Sequence, residues 1–236
     1  MITLQELIDQ NDHIVFFGGA GVSTESGIPD FRSQDGLYSQ KYAYPPETIL
    51  SHEFFMEETE EFFRFYRDKM LYPNAQPNAA HRVLAALEKK KKLRAVITQN
   101  IDGLHRAAGS NTVFELHGSV YRNYCMKCGK SYGLDTILHS QGIPRCSCGG
   151  IIKPDVVLYG EPLDQYIMEM AMAYTQSADV LIVGGTSLSV YPAAGFVYQY
   201  MGNKLVLINK ARTPLDENAA LVIHDSIGSV FSRLKL

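Results

Sequence analysis

No excess of basic charge runs through this 236-residue chain: 22 lysines and arginines stand against 25 aspartates and glutamates, a formal net charge of −3. Such a balance gives no overall field to recruit nucleic acid or an anionic membrane. Nowhere are eighteen apolar residues continuous, so the sequence offers no spanning helix. The opening MITLQELIDQND lacks a basic leader ahead of an apolar stretch, and this predicts a soluble, cytoplasmic protein. Low-complexity segments and internal repeats are missing too. The one run of like charge, Lys89 to Lys92, closes a helical pattern and reads as a solvated helix end facing the dipole. Cysteine is scarce: there are four, all between positions 125 and 148.

The residues that are present alternate between two patterns. Apolar residues make up 46% of the chain, enough for a real core, and the length allows one large domain or a large and a small one. Nearly unbroken apolar runs at 13–17, 93–98, 112–115, 180–185 and 204–209 predict strands buried on both faces of a parallel sheet. Helical patterns fall between them, at about Asn78–Lys90, Leu163–Gln176 and Ala193–Met201, with short helices near both ends. Strand and helix in alternation predict a doubly wound α/β fold, which binds ligands outside the carboxyl ends of its strands. Two stretches interrupt the alternation. Residues 36–76 carry EFFMEETEEFFRFYRDKML, whose aromatics recur at helical spacing and read as core. Residues 121–154 carry every cysteine.

Those cysteines form two close pairs, Cys125 with Cys128 and Cys146 with Cys148. Four thiols so arranged can supply a tetrahedral thiolate site, and a reducing cytoplasm argues against two disulfides. The second pair is one residue tighter than the usual spacing, a turn that the following Gly149 and Gly150 permit. The site reads as closed and structural, since a catalytic zinc keeps a vacant position and commonly carries histidine.

Three stretches carry chemistry. GGAGVSTESGIPDFRS (18–33) directly follows the first strand, as phosphate-binding turns do. A hydride-transfer fingerprint would need glycine where Thr24 stands, so redox use of a dinucleotide is disfavoured. Pro29 stiffens the segment, and Asp30, Phe31 and Arg32 set an acceptor, an apolar plate and a cation on one short loop. TQNIDGLH (98–105) presents Gln99, Asn100 and Asp102 past another strand end, all suited to hydroxyls or a carboxamide. ELHGSV (115–120) puts His117 at a third strand end, beside a glycine that leaves room for ligand.

Taken in order, GAGVSTESGIPDFRS, TQNID, ELHGSV, the cysteine module, IKPDVVLYGE (152–161) and GGTSLSVYPAA (184–194) resemble the sirtuins of bacterial type, NAD-dependent protein-lysine deacylases, over nearly the whole chain. The departures are mild: Gly18 precedes the GAG, CxC replaces CxxC, and Tyr159 replaces a common phenylalanine. The resemblance implies a Rossmann-like NAD domain from 1–35, 77–120 and 155–236, a helical module at 36–76 and a module at 121–154 holding one structural zinc. It implies NAD across the strand ends, met by Ala20, Gly21, Thr24, Asp30, Phe31 and Arg32 from the first turn. Gln99, Asn100, Ile101, Asp102 and His117 should surround the nicotinamide ribose, and Gly185, Thr186, Ser187, Asn209 and Ile227 the adenosine half. His117 is the implied base for a ribose hydroxyl, with Asn100 and Asp102 as catalytic partners. The acyl-lysine of a protein or peptide should enter past Val156, Val157, Tyr159, Gly160 and Glu161, its backbone adding as a strand opposite Val190. Tyr66 and Lys69 match an acid-selecting Tyr-x-x-Arg pair in the tyrosine alone. Deacetylation is therefore the expected main activity, with desuccinylation and demalonylation slower. The products would be nicotinamide, free lysine and O-acetyl-ADP-ribose. A mono-ADP-ribosyltransferase would share the NAD cleavage, and a zinc ribbon for nucleic acid predicts a basic, aromatic face, for which residues 121–154 offer Arg122, Lys127, Lys130, Arg145 and Lys153 with no matching excess elsewhere in the chain.

Overall fold

In the computed structural model, residues 2–31, 36, 43–189 and 191–236 are described. Six parallel strands form the main sheet: β1 (Ile14–Gly18), β2 (Leu93–Thr98), β3 (Val113–Glu115), β7 (Val180–Gly184), β8 (Leu205–Ile208) and β9 (Leu221–Ile223). Their order is β3-β2-β1-β7-β8-β9. The chain thus builds outward from β1 to one side and then, from β7, to the other. The strand order reverses between β1 and β7, where Gly18 stands in register with Gly184. A doubly wound sheet opens its ligand crevice at such a switch point.

Alternation along the strands supplies two cores. Ile14, Phe16, Val96, Ile182 and Val206 face α1 (Leu4–Asp9), α5 (Ala79–Lys89) and α9 (Ile227–Ser232). Val15, Phe17, Ile97, Leu181 and Val183 face α8 (Gln165–Ser177) and the turn Ala193–Gln199. These helices begin where capping side chains take orphan amides: Thr3 with Glu6 at α1, Asn78 at α5, Asp164 at α8. The helix expected at about Ala193–Met201 is present as a 3-10 helix over Ala193–Gln199.

A third core joins the two interruptions. Helices α2 (Pro46–Ile49), α3 (His52–Glu57) and α4 (Thr59–Lys69) pack their aromatics against a second, antiparallel sheet, β5-β4-β6. This sheet comprises β4 (Gly118–Cys125), β5 (Ser131–Tyr132) and β6 (Ile152–Val156), with α7 (Leu134–Leu138) beside it. The aromatic stripe of residues 53–71 is indeed core: Phe55, Phe62, Phe63 and Tyr66 are all fully buried. Arg67 holds the two parts together from the rim, donating to Ser140 Oγ at 3.1 Å and to the Gly142 carbonyl at 2.8 Å.

Beneath the loop after β2 lies a buried histidine pair. His105, on α6 (Leu104–Ala107), packs its ring 4.7 Å from that of His81 on α5. Neither His105 nitrogen finds a hydrogen-bond partner among the described residues. Burial, reinforced by Arg82, lowers His81 to about 4, and burial with His81 alongside pushes His105 well below 6.5. Both are therefore neutral in the fold, whereas the unfolded chain takes up their protons near pH 6.5. Stability from this pair is complete above that pH and is lost as pH falls toward 4, by up to about 1.4 kcal/mol per pH unit per histidine. Urea midpoints at pH 7.5 and 5.0 should differ less in His105→Leu than in the parent; an equal difference would show that the pair does not set acid lability.

Candidate active site

The turns that follow β1, β2 and β7 meet over the switch point. After β1, the 3-10 turn Ala20–Val22 closes tightly on the loop after β7, with Gly19 N–H on the Gly184 carbonyl at 3.2 Å and Gly21 N–H on the Gly185 carbonyl at 2.8 Å. Gly185 takes φ +61, and a Cβ on it would lie 2.4 Å from the Val22 nitrogen. The glycines of this stretch thus serve loop-on-loop approach as much as ligand approach. Ala20 N–H, by contrast, donates to no acceptor among the described residues.

Buried Ser23 joins the two loops chemically. Its hydroxyl donates to Asp102 Oδ2 at 2.6 Å and accepts from Asn100 Nδ2 at 3.1 Å. Asp102 also accepts Leu104 N–H at 2.9 Å. Burial raises its carboxyl despite the Ser23 and Leu104 hydrogen bonds, which pull the other way. Ser23 is not legible in the sequence, because a serine in a glycine-rich turn carries no signal until the turn is folded against the next loop. Asn78 is a further member of this network. Beyond capping α5 it donates to the Val22 carbonyl at 2.7 Å and Ser26 Oγ at 3.0 Å, pinning the turn from below. Its signal was the capping spacing Asn78 to His81.

His117 lies just past β3, with Nδ1 2.9 Å from the Gln99 carbonyl oxygen. A carbonyl only accepts, so the proton is on Nδ1 and the lone pair is on Nε2, which has no partner among the described residues. Burial lowers His117 below its ordinary value, against the opposing pull of the Gln99 carbonyl, and so keeps the imidazole neutral. Gln99 in turn donates its side-chain amide to Thr186 Oγ1 at 3.1 Å. His117, Gln99 and Thr186 therefore form one chain across the crevice. Gly118, expected to leave room for ligand, makes room for β6 instead: at φ +77, a Cβ would stand 2.0 Å from the Asp155 carbonyl oxygen.

The remaining candidates divide by surroundings. Thr24 bonds back to the Gly21 carbonyl, Ser187 pairs with Ser189, and Asn209 donates to the Ala211 carbonyl. Asp30 is half-buried, Phe31 and Ile101 border the third core, and Ile227 is buried under Gly184. On the expected substrate side, Val156 is buried at the end of β6, and Val157 N–H donates to the His117 carbonyl at 3.0 Å. Tyr159 is 43% exposed, with its backbone N–H on Leu50 and its carbonyl taken by His52 N–H. Gly160 is exposed. Glu161 is held internally by Lys153 Nζ at 3.0 Å and His52 Nδ1 at 2.9 Å. Arg32 and Val190 lie outside the described residues.

The four cysteines come together at the far end of β4. Their sulfurs all lie within 4.8 Å of one another, Cys125 to Cys148 at 3.5 Å and Cys128 to Cys146 at 3.7 Å. Sulfurs bound tetrahedrally at the usual zinc–thiolate length sit about 3.8 Å apart, so this cluster fits zinc and is too open for disulfides. The Cys148 N–H and the Tyr132 hydroxyl, 3.0 Å away, bring Cys146 down to about 5, toward the thiolate a metal requires. Among the described residues no His, Asp or Glu joins the cluster.

The sequence model of the Sir2 family matches residues 19–192, well over half of the chain. This protein belongs to the Sir2 family. It is 61% identical over 231 residues to the NAD-dependent protein deacetylase of Clostridium tetani, covering 96% of this chain and 94% of that one. The protein of the same name in Clostridium perfringens is 57% identical, with 98% and 96% covered. A solved Sir2 complex with p53 peptide and NAD+ matches at TM-score 0.86 and 40% identity, covering 98% of this chain and 97% of that one. Another, of Sir2 with deacetylated p53 peptide and 3′-O-acetyl-ADP-ribose, matches at TM-score 0.88 and 40% identity, covering 97% and 94%. The Sir2 match spans both the crevice and the cysteine cluster.

Proposed function

We propose that this Sir2 protein removes acetyl groups from protein lysines with NAD as co-substrate, releasing nicotinamide, free lysine and O-acetyl-ADP-ribose. The observation that carries the reading is the neutral, half-buried His117, its Nδ1 fixed on Gln99 and its Nε2 without a partner among the described residues, at the same switch point as the Asn100–Ser23–Asp102 triplet. NAD supplies an electrophilic ribose carbon once nicotinamide leaves. The chain's own work is then positioning and dryness, since an amide oxygen is a weak nucleophile. Asn100 and Asp102 orient polar groups at the ribose, Phe31 shields its face, and His117 Nε2 takes a hydroxyl proton. The adenosine half rests on Thr186, Ser187, Asn209 and Ile227, and a peptide strand lies along residues 156–161. Both backbone groups of Tyr159 pair with the 50–52 segment, so that strand has to bond to its neighbours.

The assignment of 1–35, 77–120 and 155–236 to the NAD domain is supported by the two cores flanking the large sheet. The helical and cysteine segments share the third. A zinc held by Cys125, Cys128, Cys146 and Cys148 is structural in this reading, and a reducing cytoplasm suits four free thiols. Incubation with an acetylated peptide, with and without NAD, followed by mass spectrometry, tests the reaction. NAD-dependent loss of acetyl together with O-acetyl-ADP-ribose is the expected result; ADP-ribose attached to the peptide would make the protein a mono-ADP-ribosyltransferase instead.

Acyl preference follows from α4. Tyr66 is fully buried, stacked 5.5 Å from Phe62, and Lys69 pairs with Asp68 at 3.1 Å. A lysine with that neighbour is a poor clamp for a second carboxylate, and it lacks arginine's planar fork. For one peptide, kcat/KM for the acetyl form should exceed that for the succinyl form by about tenfold or more. A succinyl value equal or higher would make Tyr66 and Lys69 an acid clamp.

A further inference from the structure

We propose that Glu25 is a positioning residue that ties the adenosine end of the NAD site to its reaction end. The inference rests on the reading above, in which NAD spans the crevice. Glu25 sits in the 3-10 turn Thr24–Ser26, two residues beyond Ser23, whose hydroxyl holds Asp102. Its carboxylate reaches the start of α9: Oε2 accepts the Gly228 N–H at 2.7 Å and Oε1 accepts the Ser226 hydroxyl at 3.2 Å.

Between those anchors stands Ile227, the first residue of α9. Its side chain fills the space below Gly184, where a Cβ would meet Ile227 Cδ1 at 2.1 Å. The side chain is thus committed to the core, and in the reading above the adenosine half lies against this segment. The first amides of a helix have no acceptor within it. Glu25 takes one of them with a full negative charge where the helix dipole favours it. The partners lie 203 residues apart in sequence, so the turn after β1 and the segment after β9 are fixed relative to each other by this contact. Gly228 is fitted to it, because a Cβ there would lie 2.5 Å from Glu25 Oε2. Serine and aspartate contacts within 225–233 order α9 internally, but they do not reach the catalytic loops.

Steady-state constants for Glu25→Ala, Glu25→Gln, Gly228→Ala and the Glu25→Ala/Gly228→Ala double variant test the tie. Loss of the carboxylate should raise KM for NAD about fivefold, with KM for the acetylated peptide and kcat at saturating NAD changed by less than about twofold. Glu25→Gln should recover most of the loss, since its amide oxygen still accepts the Gly228 N–H and its NH2 can donate to Ser226. Gly228→Ala, otherwise favourable inside a helix, should match Glu25→Ala alone and add nothing in the double variant, where the methyl has room. An unchanged KM for NAD, or a loss confined to kcat, overturns the proposal. Should Glu25→Ala not fold, Gly228→Ala against the parent decides by the same criterion. A parent protein without NAD-dependent turnover would count against the functional reading alone. Calorimetric titration of ADP-ribose into the same variants then decides, equal affinities overturning the tie.

Discussion

His117→Ala is expected to lower NAD-dependent deacetylation by about 10²- to 10⁴-fold, the range that a positioned general base contributes, while leaving the urea midpoint nearly unchanged. The fold should survive because, among the described residues, the ring is held by one hydrogen bond, to the Gln99 carbonyl, while its neighbours Glu115 and Gly118 are fixed by sheet pairing. The chemistry should not, because no other described side chain in the crevice offers a neutral nitrogen with a free lone pair. The pH profile gives a second readout. A general base works when unprotonated, so kcat/KM should fall as pH drops through the His117 pKa, which burial sets below its ordinary value. The acid limb should accordingly lie below about pH 6.5. Asp102 titrates toward the same limb from beneath, its carboxyl raised by burial, so the profile of Asp102→Asn separates the two. Full turnover by His117→Ala would remove the base from His117.

How much of this was legible depended on whether a residue's partner lies nearby in sequence. β1, β2, β7 and β8 are buried on both faces, and their unbroken apolar runs announced them to within a residue or so. β9 was not foreseen: three half-buried residues on a sheet edge are too short for any period. β4 and β6 escaped for another reason. Their pairing slips between Gly118 and Asn123, and the mixed burial of GSVYRNYC follows neither alternation nor a continuous run. The strand-end positions of Asn100, Asp102 and His117 followed from the doubly wound pattern and the resemblance together. Ser23 and Glu25 could not, since each acts through a partner more than fifty residues away, and the capping spacing of Asn78 marks a helix start but not its bond to the Val22 carbonyl. Glu161 shows the converse. Its motif suggested substrate, whereas its carboxylate is engaged by Lys153, His52 and Leu158 N–H.

Removing zinc from the cysteine cluster should unfold residues 121–154 and reduce deacetylation by well over about tenfold, although the cluster sits at the opposite end of β4 from His117. The segment cannot hold itself. β5 has two residues and α7 five, and a piece this small builds no independent core. A structural zinc contributes about 10–16 kcal/mol in small modules at pH 7, so here the metal stands in for packing. The effect should reach the crevice through the backbone, because β4 begins at Gly118 and pairs it with Val156, while Val157 N–H donates to the His117 carbonyl. Loss of β4–β6 pairing therefore loosens the strand end that presents the base, together with the expected acyl-lysine wall at Val156. The third core spreads the damage to α3 and α4, whose Phe55, Phe62 and Phe63 pack in one cluster with Cys125, Cys146 and Ile152. Atomic emission should find one zinc per chain. Cys146→Ser, or a chelator strong enough to strip the metal, should raise amide exchange across 118–156 first and leave β1, β7 and β8 protected. Peptide turnover should fall in step with zinc content and return on its restoration. A zinc-free chain with parental exchange and full activity would mean that the four thiols, close as they are, carry no structural load.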